Sequence, residues 1–138
     1  MPSKATRKRR TPNDEEHRNQ VWLIQWVKLN TKAFPDLECL YAIPNGGQRN
    51  AVVAIKLKAE GVKAGVFDLH LPVARGGFAG LWIELKVGKN KPTDSQKEWN
   101  RLMVEQGHDC HICYGWNEAK NRIEDFLALP RTKLGVTE

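Results

Sequence analysis

Apolar positions along the chain follow two rhythms, one near 3.6 residues and one of 2. Leu23, Trp26 and Val27 share one face of a first helix that ends near Leu29. Thr11-Pro12 offers a cap followed by proline at the first helical position, so this helix starts near Thr11 or Asn13. Asp14, Glu15 and Glu16 suit the positive end of its dipole. Phe34-Pro35-Asp36 closes it, Leu40 to Ile43 reads as a short strand, and Pro44-Asn45-Gly46-Gly47 is a loop. A second helix runs from about Gln48 to Glu60, with Val52, Ile55 and Ala59 on one side, and Gly61 stops it. The period then shortens. Val66 to Leu71 and Leu81 to Val87 read as strands, separated by Pro72 and the turn Arg75-Gly76-Gly77. Thr93 and Gln96 form the capping box of a helix that carries Trp99, Leu102 and Met103 inward and ends at Gly107. His108 to Tyr114 is another strand, and a last helix from about Asn117 to Leu129 buries Ile123, Phe126 and Leu127. Helix, strand, helix, strand, strand, helix, strand, helix is the order of an α/β domain with a central mixed β-sheet flanked by helices. Residues 1–12 read as a basic tail, 13–130 as one domain and 131–138 as a C-terminal tail.

A chain of 138 residues fits one compact domain. No apolar run reaches the length of a membrane span, and the basic N-terminus lacks the apolar stretch of a secretory signal. The expected location is the cytoplasm, with no membrane partner. The net charge of +6 raises the prior for a polyanionic partner, of which nucleic acid is the commonest. Lys4, Arg7, Lys8, Arg9 and Arg10 in the tail can add non-specific phosphate contacts. Three cysteines argue against a disulfide framework. Cys110 and Cys113 have the spacing of half a zinc site, but on a strand residues three apart point to opposite faces, and no second pair completes four ligands.

Candidate chemistry lies on the two central strands. In Leu81-Trp82-Ile83-Glu84-Leu85-Lys86 the residues Leu81, Ile83 and Leu85 share one face, and Trp82, Glu84 and Lys86 share the other. In the preceding strand Phe67, Leu69 and Leu71 face one way, and Asp68 and His70 the other. If the strands are neighbours, Asp68 stands beside Glu84. Two convergent carboxylates suit a hard divalent cation such as Mg²⁺ or Mn²⁺. Such an ion activates a phosphodiester and water, and a nearby lysine stabilises charge on the phosphate. The alternative is structural: a Glu84–Lys86 salt bridge, with Asp68 as a strand-end cap. Lys89, Lys91 and Arg75 leave these strands in loops and are candidate phosphate contacts, with Arg49 adding to a basic surface. The tryptophans are better explained by core or rim packing than by base stacking.

The ordered set Gly61-x-x-x-Gly65-Val66-x-Asp68, then Gly80-Leu81-x-Ile83-Glu84-Leu85-Lys86, then Thr93-x-x-Gln96 and Gly107 resembles the VRR-NUC family, the virus-type replication–repair nucleases of the PD-(D/E)XK superfamily. Upstream Ile43-Pro44-Asn45-Gly46-Gly47 fits as well, so the resemblance runs from Glu16 to Leu129. It implies a restriction-endonuclease-like core, metal ligation by Asp68 and Glu84, and Lys86 as catalytic lysine. It also implies an acidic residue on the first helix, for which Glu16 fits best. Glu16, Gln20, Leu23 and Val27 fall on one stripe, while Glu15 is about a quarter turn away. A capping role toward Asn13 is the competing reading of Glu16. Gln96 matches a glutamine that recurs near the family's site, beside its capping role. The family's usual proline before the aspartate is here Phe67, which can pack in the core without touching the chemistry.

The resemblance is to the stand-alone phage and bacterial members. It implies an Mg²⁺- or Mn²⁺-dependent endonuclease that resolves four-way (Holliday) junctions in branched DNA as a homodimer. A monomeric flap or nicking endonuclease, and a non-catalytic DNA-binding protein on the same fold, are the alternatives.

Overall fold

The computed structural model describes residues 8–44 and 50–135. Helix α1 (Pro12–Asn30) begins at the Thr11-Pro12 pair. The Thr11 hydroxyl accepts from the Asp14 N–H at 3.2 Å, and the Asp14 carboxylate accepts from the Thr11 N–H at 3.0 Å. This reciprocal box satisfies two donors that the helix leaves open. Asp14 therefore does the capping, and Glu16, a half-turn on, is free of it. A short 3-10 turn (Pro35–Cys39) follows, unmarked in the apolar pattern, and it buries Leu37.

The sheet has the order β1 (Tyr41–Ala42), β2 (Leu69–Leu71), β3 (Leu81–Lys86), β4 (Asp109–Tyr114). β1 and β2, and β2 and β3, pair antiparallel, while β3 and β4 run parallel. The parallel pair needs a crossover, and α3 (Asp94–Glu105) supplies it. Helix α2 (Ala51–Ala59) lies between β1 and β2 in the chain, and α4 (Trp116–Ala128) closes the domain. This is the mixed sheet with flanking helices expected from the sequence.

On one face of the sheet Leu69, Leu71, Leu81, Ile83 and Leu85 form a core with Leu23 and Val27 of α1 and Ala119, Ile123 and Phe126 of α4. On the other face the Trp82 ring meets Trp99 of α3 edge-on, with centroids 5.2 Å apart. All six residues of β3 are consequently buried, Glu84 and Lys86 included. Each large side chain in that core contributes about 1.5–3 kcal/mol. The surrounding core thus holds in place two charges that would otherwise seek water.

Three expectations shift. The strand expected from Val66 is regular only over Leu69–Leu71, because the Asp68 N–H is drawn to a carboxylate instead of a neighbouring strand. Leu102 is 38% exposed rather than inward, and Leu127 is half-buried. No residue of α2 is buried, so its apolar side chains do not feed the core. Among the described residues no helix is long and apolar enough to cross a membrane.

Candidate active site

Register places the carboxylates. Leu69 pairs with Ile83, so Asp68, one step before β2, falls opposite Glu84 in the middle of β3. The Asp68 N–H donates to Glu84 Oε2 at 3.0 Å, and the Leu85 N–H donates to Asp68 Oδ2 at 2.8 Å. Lys86 Nζ lies 3.6 Å from Glu84 Oε1. The same oxygen accepts from Gln96 Nε2 at 2.7 Å, while Gln96 Oε1 accepts from the Thr93 N–H at 2.9 Å. Gln96 thus caps α3 and steadies Glu84 at once, which unites its two sequence readings. Asp68, Glu84, Lys86 and Gln96 are one connected group.

Close packing of backbone makes that group possible. A Cβ on Gly65 would lie 2.3 Å from the Ser95 carbonyl, and Gly65 has φ +86°. No side chain fits where the segment entering Asp68 crosses the start of α3, which accounts physically for glycine at this position.

Charge is crowded here. Burial pushes the Glu84 carboxyl up to about 8, the neighbouring Asp68 charge adds to the rise, and Lys86 opposes it. Burial also holds Asp68 above the usual carboxylate range, against the Leu85 hydrogen bond, with the charge of Glu16 adding to the rise. A buried and a half-buried carboxylate that both resist ionisation would be relieved by a cation between them. Their all-oxygen donor set fits Mg²⁺ or Mn²⁺. Among the described residues no group of three or more acidic, histidine or cysteine side chains is gathered closely enough to hold a metal ion. Asp68 and Glu84 are the two carboxylates that would hold such an ion. Glu16 of α1 is half-buried, with Oε1 accepting from Asn90 Nδ2 at 3.2 Å.

The basic candidates part ways. Lys89 and Lys91 are exposed on the loop that leaves β3. Arg49 lies outside the described residues. Arg75 corrects the expectation of a phosphate contact: it is 8% exposed, ion-paired with Asp36, and donates to the Ala74 carbonyl at 3.1 Å. Its guanidinium is committed inside the fold, where it ties the loop after β2 to the 3-10 turn.

His70 and Asn90 were not among the sequence-derived site residues. Alternation from Asp68 puts His70 on the same face. There its ring stacks on Trp82 with centroids 3.8 Å apart, and Nδ1 shares a hydrogen bond with the Tyr41 hydroxyl at 2.8 Å. Burial, helped by nearby His108, lowers it to about 4, so it is a neutral packing group. Asn90 carried no signal in the sequence beyond its place between two lysines.

No family model and no curated protein matches this chain. A solved structure described as a "VRR_NUC domain protein" does match, with 28% sequence identity and a TM-score of 0.75. The match covers 90% of this chain and 96% of that one.

Proposed function

Because this chain resembles a VRR-NUC domain in sequence and fold over 90% of its length, we propose that it is a metal-dependent endodeoxyribonuclease acting on branched DNA. The observation that carries this reading is the reciprocal pairing of Asp68 and Glu84, with Lys86 two residues further along the buried strand β3. A pure DNA-binding protein gains nothing from two carboxylates facing phosphate. Asp68 and Glu84 would hold Mg²⁺ or Mn²⁺, which supplies Lewis-acid activation of the scissile phosphodiester. Lys86 directs its ammonium at the same spot and stabilises negative charge as it builds on the phosphate. Gln96 keeps Glu84 in one rotamer, so the carboxylate is preorganised. Lys89 and Lys91 receive the flanking phosphates.

The favoured substrate is a four-way junction, cut by a homodimer. Val52 and Ile55 support the dimer: they are 76% and 70% exposed on a helix with no buried residue. Apolar side chains left in water on an otherwise unused helix suit a self-complementary contact, and two-fold pairs are the commonest assembly of small proteins. Two such sites match the two incisions that a two-fold symmetric junction needs. Labelled junction, flap and linear duplexes incubated with and without Mn²⁺ test the proposal. Metal-dependent cleavage of the junction in preference to the others supports it, and binding without cleavage in any metal contradicts it.

A further inference from the structure

We propose that Tyr114 is a positioning residue whose hydroxyl fixes the loop joining Lys86 to Gln96, so that Lys89 and Lys91 stand ready to take DNA phosphates. The inference rests on the reading of those two lysines as phosphate contacts of a nuclease. Tyr114 ends β4 as the register partner of Lys86, so both side chains leave the face of the sheet that carries Glu84. The Tyr114 hydroxyl donates to the Asn90 carbonyl at 2.8 Å. The anchor is itself held, because the Tyr114 N–H donates to the Glu118 carboxylate of α4 and the Gly115 N–H donates to the Lys86 carbonyl at 3.0 Å. On the loop side the Asn90 N–H closes a turn onto the Val87 carbonyl at 3.2 Å, with Gly88 at φ +58°. The Asn90 amide adds a second tie, to Glu16 Oε1 of α1 at 3.2 Å.

Both ends of the loop reach the candidate site through direct contacts. It leaves β3 after Lys86, whose Nζ lies 3.6 Å from Glu84 Oε1. It runs into α3, where Gln96 Nε2 donates to the same oxygen at 2.7 Å. Lys89 and Lys91 flank the anchored Asn90 and are exposed. Lysines on a loose loop are poor phosphate ligands, because backbone and side chain must both lose freedom when DNA binds. A loop held in advance has less freedom to lose, so the same charges bind more tightly. A hydroxyl suits the task, since it donates to a carbonyl without adding or masking a charge.

Fluorescence anisotropy of a labelled four-way junction in EDTA, with single-turnover cleavage of the same junction in Mn²⁺, tests this on the full chain. Tyr114→Phe keeps the ring and removes only the anchoring bond. It should bind the junction about three- to tenfold more weakly than wild type. Its cleavage rate at saturating junction should stay near wild type, so the loss falls on affinity and not on turnover. Lys89→Ala combined with Lys91→Ala should also bind more weakly. In that double background Tyr114→Phe should add no further loss, because the hydroxyl acts through the lysines. Unchanged binding by Tyr114→Phe overturns the inference, and so does an equal loss when both lysines are absent. Wild-type affinity without the lysines overturns it too. Harm from Tyr114→Ala with none from Tyr114→Phe also overturns it, and assigns the ring to a nucleobase contact instead. A wild type that binds the junction but cleaves none in Mn²⁺ defeats the nuclease reading, while the binding comparisons still decide the anchor.

Discussion

Asp68 and Glu84 hold each other across the β2–β3 boundary. The Asp68 N–H donates to Glu84 at 3.0 Å, and the N–H of Leu85, next to Glu84, donates to Asp68 at 2.8 Å. Each carboxylate is therefore aimed by a main-chain N–H, and Gln96 Nε2 adds a side-chain donor to Glu84 at 2.7 Å. The arrangement places two like charges in contact within a buried layer, a disposition that weakens the fold unless a cation or a proton intervenes.

Removing one of those charges should separate catalysis from folding. Asp68→Asn and Glu84→Gln are each expected to lower the cleavage rate by about a thousandfold or more, the scale of several kcal/mol of lost electrostatic stabilisation. DNA binding in EDTA should be equal to or tighter than wild type, because repulsion of phosphate is reduced. Gel-shift titration beside single-turnover cleavage checks both statements.

The metal-free protein should lose stability as pH rises toward 8. The Glu84 carboxyl titrates from 4.5 to about 8 on folding, so between these values the native state holds a proton that the unfolded chain lacks. Stability from this group is fully present below 4.5 and is lost as pH rises through about 8. His70 works in the opposite sense but only below 6.5, since its folded value is near 4. The clean window is therefore pH 6.5 to 8. There the melting temperature in EDTA should fall with pH, Mn²⁺ should flatten the slope, and Glu84→Gln should abolish it. A flat wild-type profile in EDTA would count against the charge crowding described for this pair.

Lys86→Ala should lose most turnover yet bind Mn²⁺ at least as tightly as wild type. Its ammonium lies 3.6 Å from Glu84 and competes with a cation for that carboxylate. Weakened Mn²⁺ binding with normal single-turnover cleavage would contradict the assigned role.

Among the basic residues, structure and binding should divide by position. Lys89→Ala and Lys91→Ala should each reduce the slope of log affinity against log salt by about 0.9 on duplex DNA. Arg75→Ala should leave that slope unchanged and lower thermal stability instead. The loss should be about 1–3 kcal/mol, below that of a fully isolated buried pair, because Arg131 also lies 3.7 Å from Asp36.

The exposed apolar side of α2 makes the dimer testable. Val52→Ser with Ile55→Ser should halve the mass seen by light scattering without lowering helix content, since neither side chain packs in the core. An unchanged dimer mass would place the interface elsewhere, and a wild-type monomer would favour the flap or nicking alternative.

Much of this was legible in the chain. Period-2 alternation alone put Glu84 and Lys86 on one face, and the capping box at Thr93 and Gln96 forms as written. What stayed hidden depends on tertiary placement. Arg75 in a glycine-rich turn looks like a surface cation until Asp36, 39 positions away, arrives beside it. The apolar residues of α2 look like core because periodicity reports a face and not what covers it. Asn90 bonds to a residue 74 positions distant, and no local pattern encodes such a contact.

Whether Asp68 and Glu84 form a cation-dependent phosphodiesterase site is decided by one cleavage assay. A labelled four-way junction is incubated with wild type and with Asp68→Asn, in Mn²⁺ and in EDTA. Product is expected only from wild type in Mn²⁺, with both proteins binding the junction in EDTA. Product from Asp68→Asn at the wild-type rate, or from wild type in EDTA, would contradict it.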